Sequence, residues 1–475
     1  MNLKNRIRKV RERRWDWIRK MKEIDNRGKR MIGYLICFFG FGLTLWAFYP
    51  GMLSSDSIAS LGEGRSGIIT DQNSPVMSYL LGALDQIIPG TGLMLIVQVA
   101  VFWIAIALIW RAVYQRSFVA GLAIVLFPFL PQILSQIPTI WKDVGMAIAL
   151  LMSVALVFIA KKTGSKAALL LSPIFLFYGF AARLNSLPAV LPIAIWSGFV
   201  AAALFQMRGG YTATAIGVAY FVVMFGVVQI FNMVITEGRA AYPIQFVLLH
   251  DSAAISASLN EPKFPDYITA GKGFSMDSVK AKYTAASIGE LVYQDPNHPN
   301  VIPPLAVTAD ANEMRSLRSS WWNAVTSHPV IYLTHRLKVF GQLIGLSRSV
   351  TNQYCDVSYN PPEFSITENA AGNFLTRYFA LFRRPVMQTF FFRGFLWLLA
   401  GAYFGYVALK ARLRRDWDFI FVLVASSLLY TAAYFVTAPA ADFRYIFWPA
   451  VASGLAIIFG IYLLREEKAI PAAEA

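Results

Sequence analysis

Apolar residues gather in ten long runs along this chain, near residues 31–50, 92–111, 117–135, 143–160, 167–182, 187–206, 211–235, 386–409, 417–438 and 444–464. Runs of about 17–25 residues match the length a helix needs to cross the hydrocarbon of a bilayer. The pattern predicts an all-α polytopic membrane protein with about ten transmembrane helices. A shorter apolar stretch at 75–88 contains Asp85 and has prolines at its edges, which predicts a juxtamembrane helix instead. The largest break runs from about 236 to 385, with Pro-rich turns in "NEPKFPDY" and "YQDPNHPNVIPP". Inside it, "RSLRSSWWNAVTSHPVIYLTHRLKVFGQLIG" has helical, amphipathic spacing and predicts helices resting on the membrane face.

The resulting organisation is a segment 1–30, a seven-span module 31–235 holding a first loop at 51–91, an intervening region 236–385, a three-span module 386–464 and a tail 465–475. The number of spans can be checked against charge. If residues 1–30 are cytoplasmic, alternate loops are too, and those loops hold Arg111 and Arg116, then Lys161, Lys162 and Lys166, then Arg208, then Lys410, Arg412, Arg414 and Arg415. Basic residues collect on the cytoplasmic side of membrane proteins, so both termini are expected inside. The 51–91 loop and the 236–385 region are then expected outside.

Composition agrees with a membrane protein: 56% of the 475 residues are hydrophobic and only 15% charged, where soluble domains carry nearer a quarter. The net charge of +16 would suggest nucleic acid were it spread over the chain. Instead residues 1–30 hold 13 Lys or Arg against four acidic residues, interleaved with Trp15, Trp17, Ile18 and Met21. A basic helix lying on anionic lipid headgroups accounts for that pattern without nucleic acid. Cys37 and Cys355 are too far apart in sequence to form a metal motif. His250, His298, His328 and His335 lack the spacing of a zinc site and read as structural. No P-loop, nucleophile elbow or dinucleotide turn is present.

What remains is a set of polar residues near helix ends on the expected outer side. "SSDSIAS" carries Asp56, and "ITDQNSPVMSY" carries Asp71 and Asn73. "QIPTIWKDVGM" carries Lys142 and Asp143, and "GFAARLNSLPAV" carries Arg183 and Asn185. "PAADFRYIFWPA" carries Asp442, Arg444 and Tyr445. Any one of these cations, taken alone, reads as a snorkelling residue or a salt-bridge partner. Charges at membrane depth are costly unless paired or solvated, however, and several together usually line a cavity. Lys142, Arg183 and Arg444 on one side therefore suggest a site for an anionic headgroup, with phosphate suiting the two guanidinium forks and the compact ammonium.

A first span followed by a short acidic loop and "D-x-N-x-P" resembles the GT-C fold membrane glycosyltransferases that use polyprenyl-phosphate sugars, and, in order along the chain, "TIWKDV", "RLNS", "LLHDSAAIS", "HPVIYLTHRLKVF" and "DFRYIFWP" resemble a bacterial group of GT-C-like membrane proteins, over most of residues 31–464. Two positions depart from that pattern. Ser74 stands where a His often precedes the proline, and Arg183, Leu184, Asn185 and Ser186 stand where Arg-His-Asn-Gly would be expected.

The resemblance implies a polyprenyl-phosphate-linked sugar as donor and a glycan, lipid or polymer hydroxyl as acceptor, with the chain embedded among lipids of the bacterial inner membrane. It implies Asp56 as general base, Asp71 as a second carboxylate, and Lys142, Arg183 and Arg444 on the donor phosphate. Asn73, Asp143, Asn185, His250, Asp251, Asp442 and Tyr445 would support the site or recognise the acceptor. The sequence leaves open which of Asp56 and Asp71 is the base. No cofactor is called for, and a divalent cation between the two carboxylates stays open. A lipid-phosphate or lipid-linked sugar transporter and an accessory scaffold are the competing readings.

Overall fold

The computed structural model describes residues 27–294, 301–347, 364, 366, 389–414 and 416–469. The basic segment as far as residue 26, His298, Cys355 and the end of the tail lie outside the described residues. Among the described residues the chain is helical, with only isolated β-bridges.

The first half of the chain begins with α1 (Arg27–Phe48), α2 (Ser55–Ser66), α3 (Pro75–Asp85) and α4 (Gly92–Val113). It continues with α5 (Phe118–Leu126), α6 (Pro131–Leu134), α7 (Lys142–Thr163), α8 (Lys166–Ala182), α9 (Leu187–Leu204) and α10 (Gly210–Thr236). The intervening region holds α11 (Gln245–Leu259), three short helices α12 (Asp266–Thr269), α13 (Met276–Lys282) and α14 (Gly289–Val292), then α15 (Ala311–Ser327) and α16 (Pro329–Leu343). The chain closes with α17 (Gly394–Lys410), α18 (Trp417–Thr437) and α19 (Phe447–Ala469).

Among the described residues, seven helices are long and apolar enough to cross a bilayer: α1, α4, α7, α9, α10, α18 and α19. The chain is accordingly a multi-pass membrane protein. Three of the expected spans are shorter. The run at 117–135 is not one helix: α5 passes into a single 3-10 turn at Phe127–Phe129, and α6 starts afresh at Pro131. Pro128 and Pro131 lack the N–H that an unbroken helix needs there. The other two, α8 and α17, are apolar helices of 17 residues each.

The expected juxtamembrane helix is α3, which packs on α2. A Cβ added at Gly64 would lie 2.5 Å from the Ser78 carbonyl oxygen, so the two helix backbones touch at a glycine crossing.

At the centre is α7. All of its membrane window is buried within the protein, against 11% for the peripheral α10. It packs against α4, α8, α9 and α19, helped by small residues such as Gly145, Ala147, Ala149 and Ala155 that admit close neighbours. Its two ends differ chemically. At the C-terminal end Lys161 lies 2.5 Å from Asp418, Lys162 and Arg116 pair with Asp416, and the Trp196 indole donates to Asp418 at 2.8 Å. Arg116, Lys161 and Lys162, from two of the basic loops expected on one side, therefore meet in space around two aspartates. The N-terminal end, Lys142, is roughly 30 Å away by helix rise.

The intervening region has its own hydrophobic cluster, built from residues such as Phe246, Leu249, Ile268, Val279, Leu291 and Leu317. Helices α15 and α16 are amphipathic as expected. Along α16, His335, Arg336, Val339 and Leu343 are buried, while Val330, Leu333 and Leu337 are exposed.

Candidate active site

The polar stretch after α1 is pinned to the chain that starts α7. Met52 donates its N–H to Pro138 O at 2.9 Å, and Ile140 donates back to Met52 O at 3.0 Å. The serines around Asp56 complete this join. Ser54 N–H bonds Ser57 Oγ at 3.0 Å, Ser57 Oγ–H donates to Ile140 O at 2.8 Å, and the Trp141 indole donates to Ser54 Oγ at 2.6 Å. These hydroxyls fix α2 against α7, and Asp56 is left in the first turn of α2 beside Lys142. Carboxylates are favoured at the positive end of a helix.

Arg183 caps the C-terminus of α8 in extended conformation, and its Nη1 lies 2.8 Å from Asp143 Oδ1. Arg444 comes from the turn before α19. It pairs with Asp56, lies 3.2 Å from Asp442 and 4.0 Å from Asp143. Four stretches of chain thus bring Asp56, Lys142, Asp143, Arg183, Asp442, Arg444 and Tyr445 to one place. Asp143 is fully buried, which a carboxylate tolerates only with cations against it.

The cations rest on aromatic faces. The Arg183 guanidinium carbon is 4.6 Å from the Tyr445 ring centre and 5.6 Å from Tyr434, and Arg444 is 4.8 Å from Trp141. Tyr434 and Tyr445 stack at 4.9 Å, and the hydroxyls of Tyr430 and Tyr434 meet at 2.9 Å. Aromatic rings hold cations in place without neutralising them.

Lys142 differs from the two arginines. Its Nζ donates to the Gln72 carbonyl at 3.4 Å, and no carboxylate oxygen lies within 4.0 Å of it among the described residues. It is the first residue of α7, where the helix dipole also favours an anion. Burial pushes the Asp56 carboxyl up, but the charges of Arg444 and Lys142 outweigh burial and hold it at about 2. Asp56 is therefore ionised at neutral pH.

The turn that carries Arg444 is braced from the intervening region. Ile288 N–H donates to Pro439 O at 3.1 Å, Ala441 N–H to Ala286 O at 2.8 Å, and Arg336 to Ala438 O at 2.9 Å. Tyr293, just past α14 and largely exposed, lies near enough to feel the charge of Asp56.

Other candidate residues lie elsewhere. The Asp71 carboxylate accepts the backbone N–H of Ala241, tying its loop to the chain after α10. Its neighbour Gln72 touches Lys142, so this loop borders the cluster. Asn73 is partly buried just ahead of Ser74, whose hydroxyl caps α3. Asn185 reaches Thr437 at 3.5 Å.

His250 and Asp251 belong to a second buried cluster. Asp251 lies 2.6 Å from Arg336 and 3.3 Å from His335, and accepts the Trp321 indole N–H at 2.9 Å. The His250 ring bonds Thr284 O at 2.8 Å and meets His335 edge-to-face, while the Tyr283 hydroxyl bonds His335 at 2.8 Å. Burial, then the neighbouring His335, depresses His250 to about 3, so it is neutral. This cluster holds α11, α13, α15 and α16 together and, through Arg336, supports the Arg444 turn.

Sequence reasoning assigned no role to Trp141, Tyr430 or Tyr434. The last two sit four residues apart near the end of an apolar run, which places both hydroxyls on one helix face; that spacing was a readable signal. Compared with protein-family descriptions, with curated proteins and with solved structures, the chain matches none of them.

Proposed function

We propose that this chain is a GT-C-type membrane glycosyltransferase that moves a sugar from a polyprenyl-phosphate carrier to an acceptor hydroxyl. The observation that carries the reading is the meeting of Lys142, Arg183 and Arg444, from three separate helix ends, around the ionised Asp56. In this reading all ten apolar runs cross the inner membrane of a bacterium, the third as the broken stretch of α5, 3-10 turn and α6. Both termini are cytoplasmic and the site faces outward, where envelope glycans are built and modified.

The chemistry follows from charge. The acceptor oxygen attacks the anomeric carbon from the face opposite the carrier phosphate, inverting configuration as the C–O bond to phosphate breaks. The acceptor proton passes to the Asp56 carboxylate, and the bonding electrons leave with the phosphate. Negative charge therefore grows on phosphate oxygens in the transition state, where the three cations stabilise it. A preorganised donor of this kind supplies ~3 kcal/mol, and a positioned base about 10²–10⁴ in rate. Asp56 stands among the three cations, whereas Asp71 ties its loop to the Ala241 amide at the border of the cluster, so Asp56 is the base in this reading.

Cations near a lipid headgroup also suit a lipid-phosphate transporter, and Lys142, with no carboxylate oxygen within 4.0 Å among the described residues, fits that reading too. One experiment separates the two. Envelope glycans are profiled by mass spectrometry in a deletion strain, in that strain carrying the wild-type gene, and in that strain carrying Asp56→Asn. The transferase reading expects a missing sugar that the wild type restores and Asp56→Asn, present at normal level in the membrane, does not. Full restoration by Asp56→Asn overturns it in favour of transport.

A further inference from the structure

The Arg444 guanidinium holds one charged hydrogen bond, to Asp56, while its buried Nε makes none. Nη1 bonds Asp56, Nη2 donates to the Tyr445 hydroxyl at 3.4 Å, and Nε lies 3.2 Å from Asp442. Arginine recognises phosphate best through two neighbouring donors on one edge, so a fork on the terminal Nη1–Nη2 edge, where Nη2 meets only the neutral Tyr445 hydroxyl, requires the partner on Nη1 to yield. Asp442 is two residues away on the same braced turn and 14% exposed. Asp56 comes from another helix, and its side chain is 40% exposed. Asp56 is the partner that gives way.

We propose that an anionic phosphate entering the site draws Arg444 off Asp56, so that Asp56 turns into an effective base only in the donor-loaded site. The inference rests on the transferase reading above. Three cations and three carboxylates face one another before the donor arrives: Lys142 and Asp143 from α7, Arg183 after α8, Asp442 and Arg444 before α19, and Asp56 from α2. The phenols of Tyr445 and Tyr293 complete the surroundings. An incoming phosphate first meets Lys142, then competes for Arg444. Asp56 thereby loses a bound cation and gains a neighbouring anion, and both changes make it more basic. Held as it is now, near 2, it is a weak base for a hydroxyl. Donor binding then has to precede acceptor activation.

The test uses the full chain in lipid nanodiscs, with farnesyl monophosphate as probe and farnesol as the control without charge. Binding of the probe is measured directly. In parallel, labelling of Asp56 by a water-soluble carbodiimide, which reacts with the protonated carboxyl, is followed by mass spectrometry across pH 4–7. Saturating farnesyl monophosphate is expected to raise labelling at pH 5 at least tenfold, an upward shift of about one pH unit or more, and farnesol to leave it unchanged. Arg444→Gln is expected to show the raised labelling without any ligand. If the probe binds and labelling does not rise, the release of Asp56 is refuted while the phosphate site stands. If farnesyl monophosphate binds no better than farnesol, the phosphate site itself is refuted and the release with it.

Discussion

Arg336→Met is the sharpest structural test of how the Arg444 turn is held. Arg336 and Asp251 are both fully buried and lie 2.6 Å apart. The same guanidinium also donates to Ala438 O at 2.9 Å and to Val247 O at 3.4 Å. Methionine fills most of the volume but leaves Asp251 buried with only the Trp321 indole, at 2.9 Å, and His335, at 3.3 Å. Breaking a buried pair in this way costs about 3–5 kcal/mol, because the surviving charge is stranded. His335 is close enough to take up a proton and offset part of that, which places the expected cost near the lower bound, about 3 kcal/mol. At 1.36 kcal/mol per factor of ten, amides of α11 and α16 should exchange with deuterium roughly 100-fold faster in nanodiscs. Adding Asp251→Asn removes the stranded charge and should recover much of the loss. A change below about tenfold in Arg336→Met, with no recovery in the double variant, would refute the claim that this pair braces the turn.

Other outcomes follow from the same geometry. Gly64→Val places side-chain carbon where a backbone oxygen already lies at 2.5 Å; overpacking of this kind costs about 1–3 kcal/mol and shifts α2. Sugar transfer should fall by about 100-fold, whereas Gly62→Ala, whose Cβ would meet Phe364 at an ordinary 3.6 Å, should be tolerated; equal activity of the two in a transfer assay would count against the crossing. Lys142→Met should weaken farnesyl monophosphate binding about 10–100-fold, from the loss of one charge-assisted contact, with farnesol binding unchanged, as read by direct titration. For pH, His250 is depressed from 6.5 to about 3 in the folded chain. Its contribution to stability is therefore complete above 6.5 and is lost as pH falls toward 3. Protection of α11, corrected for intrinsic exchange, should decline through that window, and His250→Asn should flatten the decline.

The sequence by itself determined where the membrane helices lie, because a bilayer imposes one requirement on every span: about 20 apolar residues with an internally bonded backbone. That requirement is local, so α1, α4, α7 and α18 are legible residue by residue. It fails at 117–135, where hydropathy sees an unbroken run and Pro128 and Pro131 break the helix. Charge placed the basic turns together, and the structure gathers Arg116, Lys161 and Lys162 around Asp416 and Asp418. Which span is central could not be read. Lipid and protein interior are equally apolar, so the buried α7 and the peripheral α10 look alike in sequence.

The candidate residues were visible one at a time as charges at helix ends. Only the tertiary structure decided their partners, since those contacts join residues 40 to 388 positions apart. It set Asp56 against Arg444 and Asp143 against Arg183, left Lys142 with a backbone carbonyl, and used Asp71 to hold a loop. His250 and Asp251, just past the seventh expected span in sequence, were assigned by packing to a cluster that supports the Arg444 turn from behind. Ion pairing depends on distances of a few ångströms in three dimensions, and nothing in the local sequence encodes which charge a folded helix end will meet.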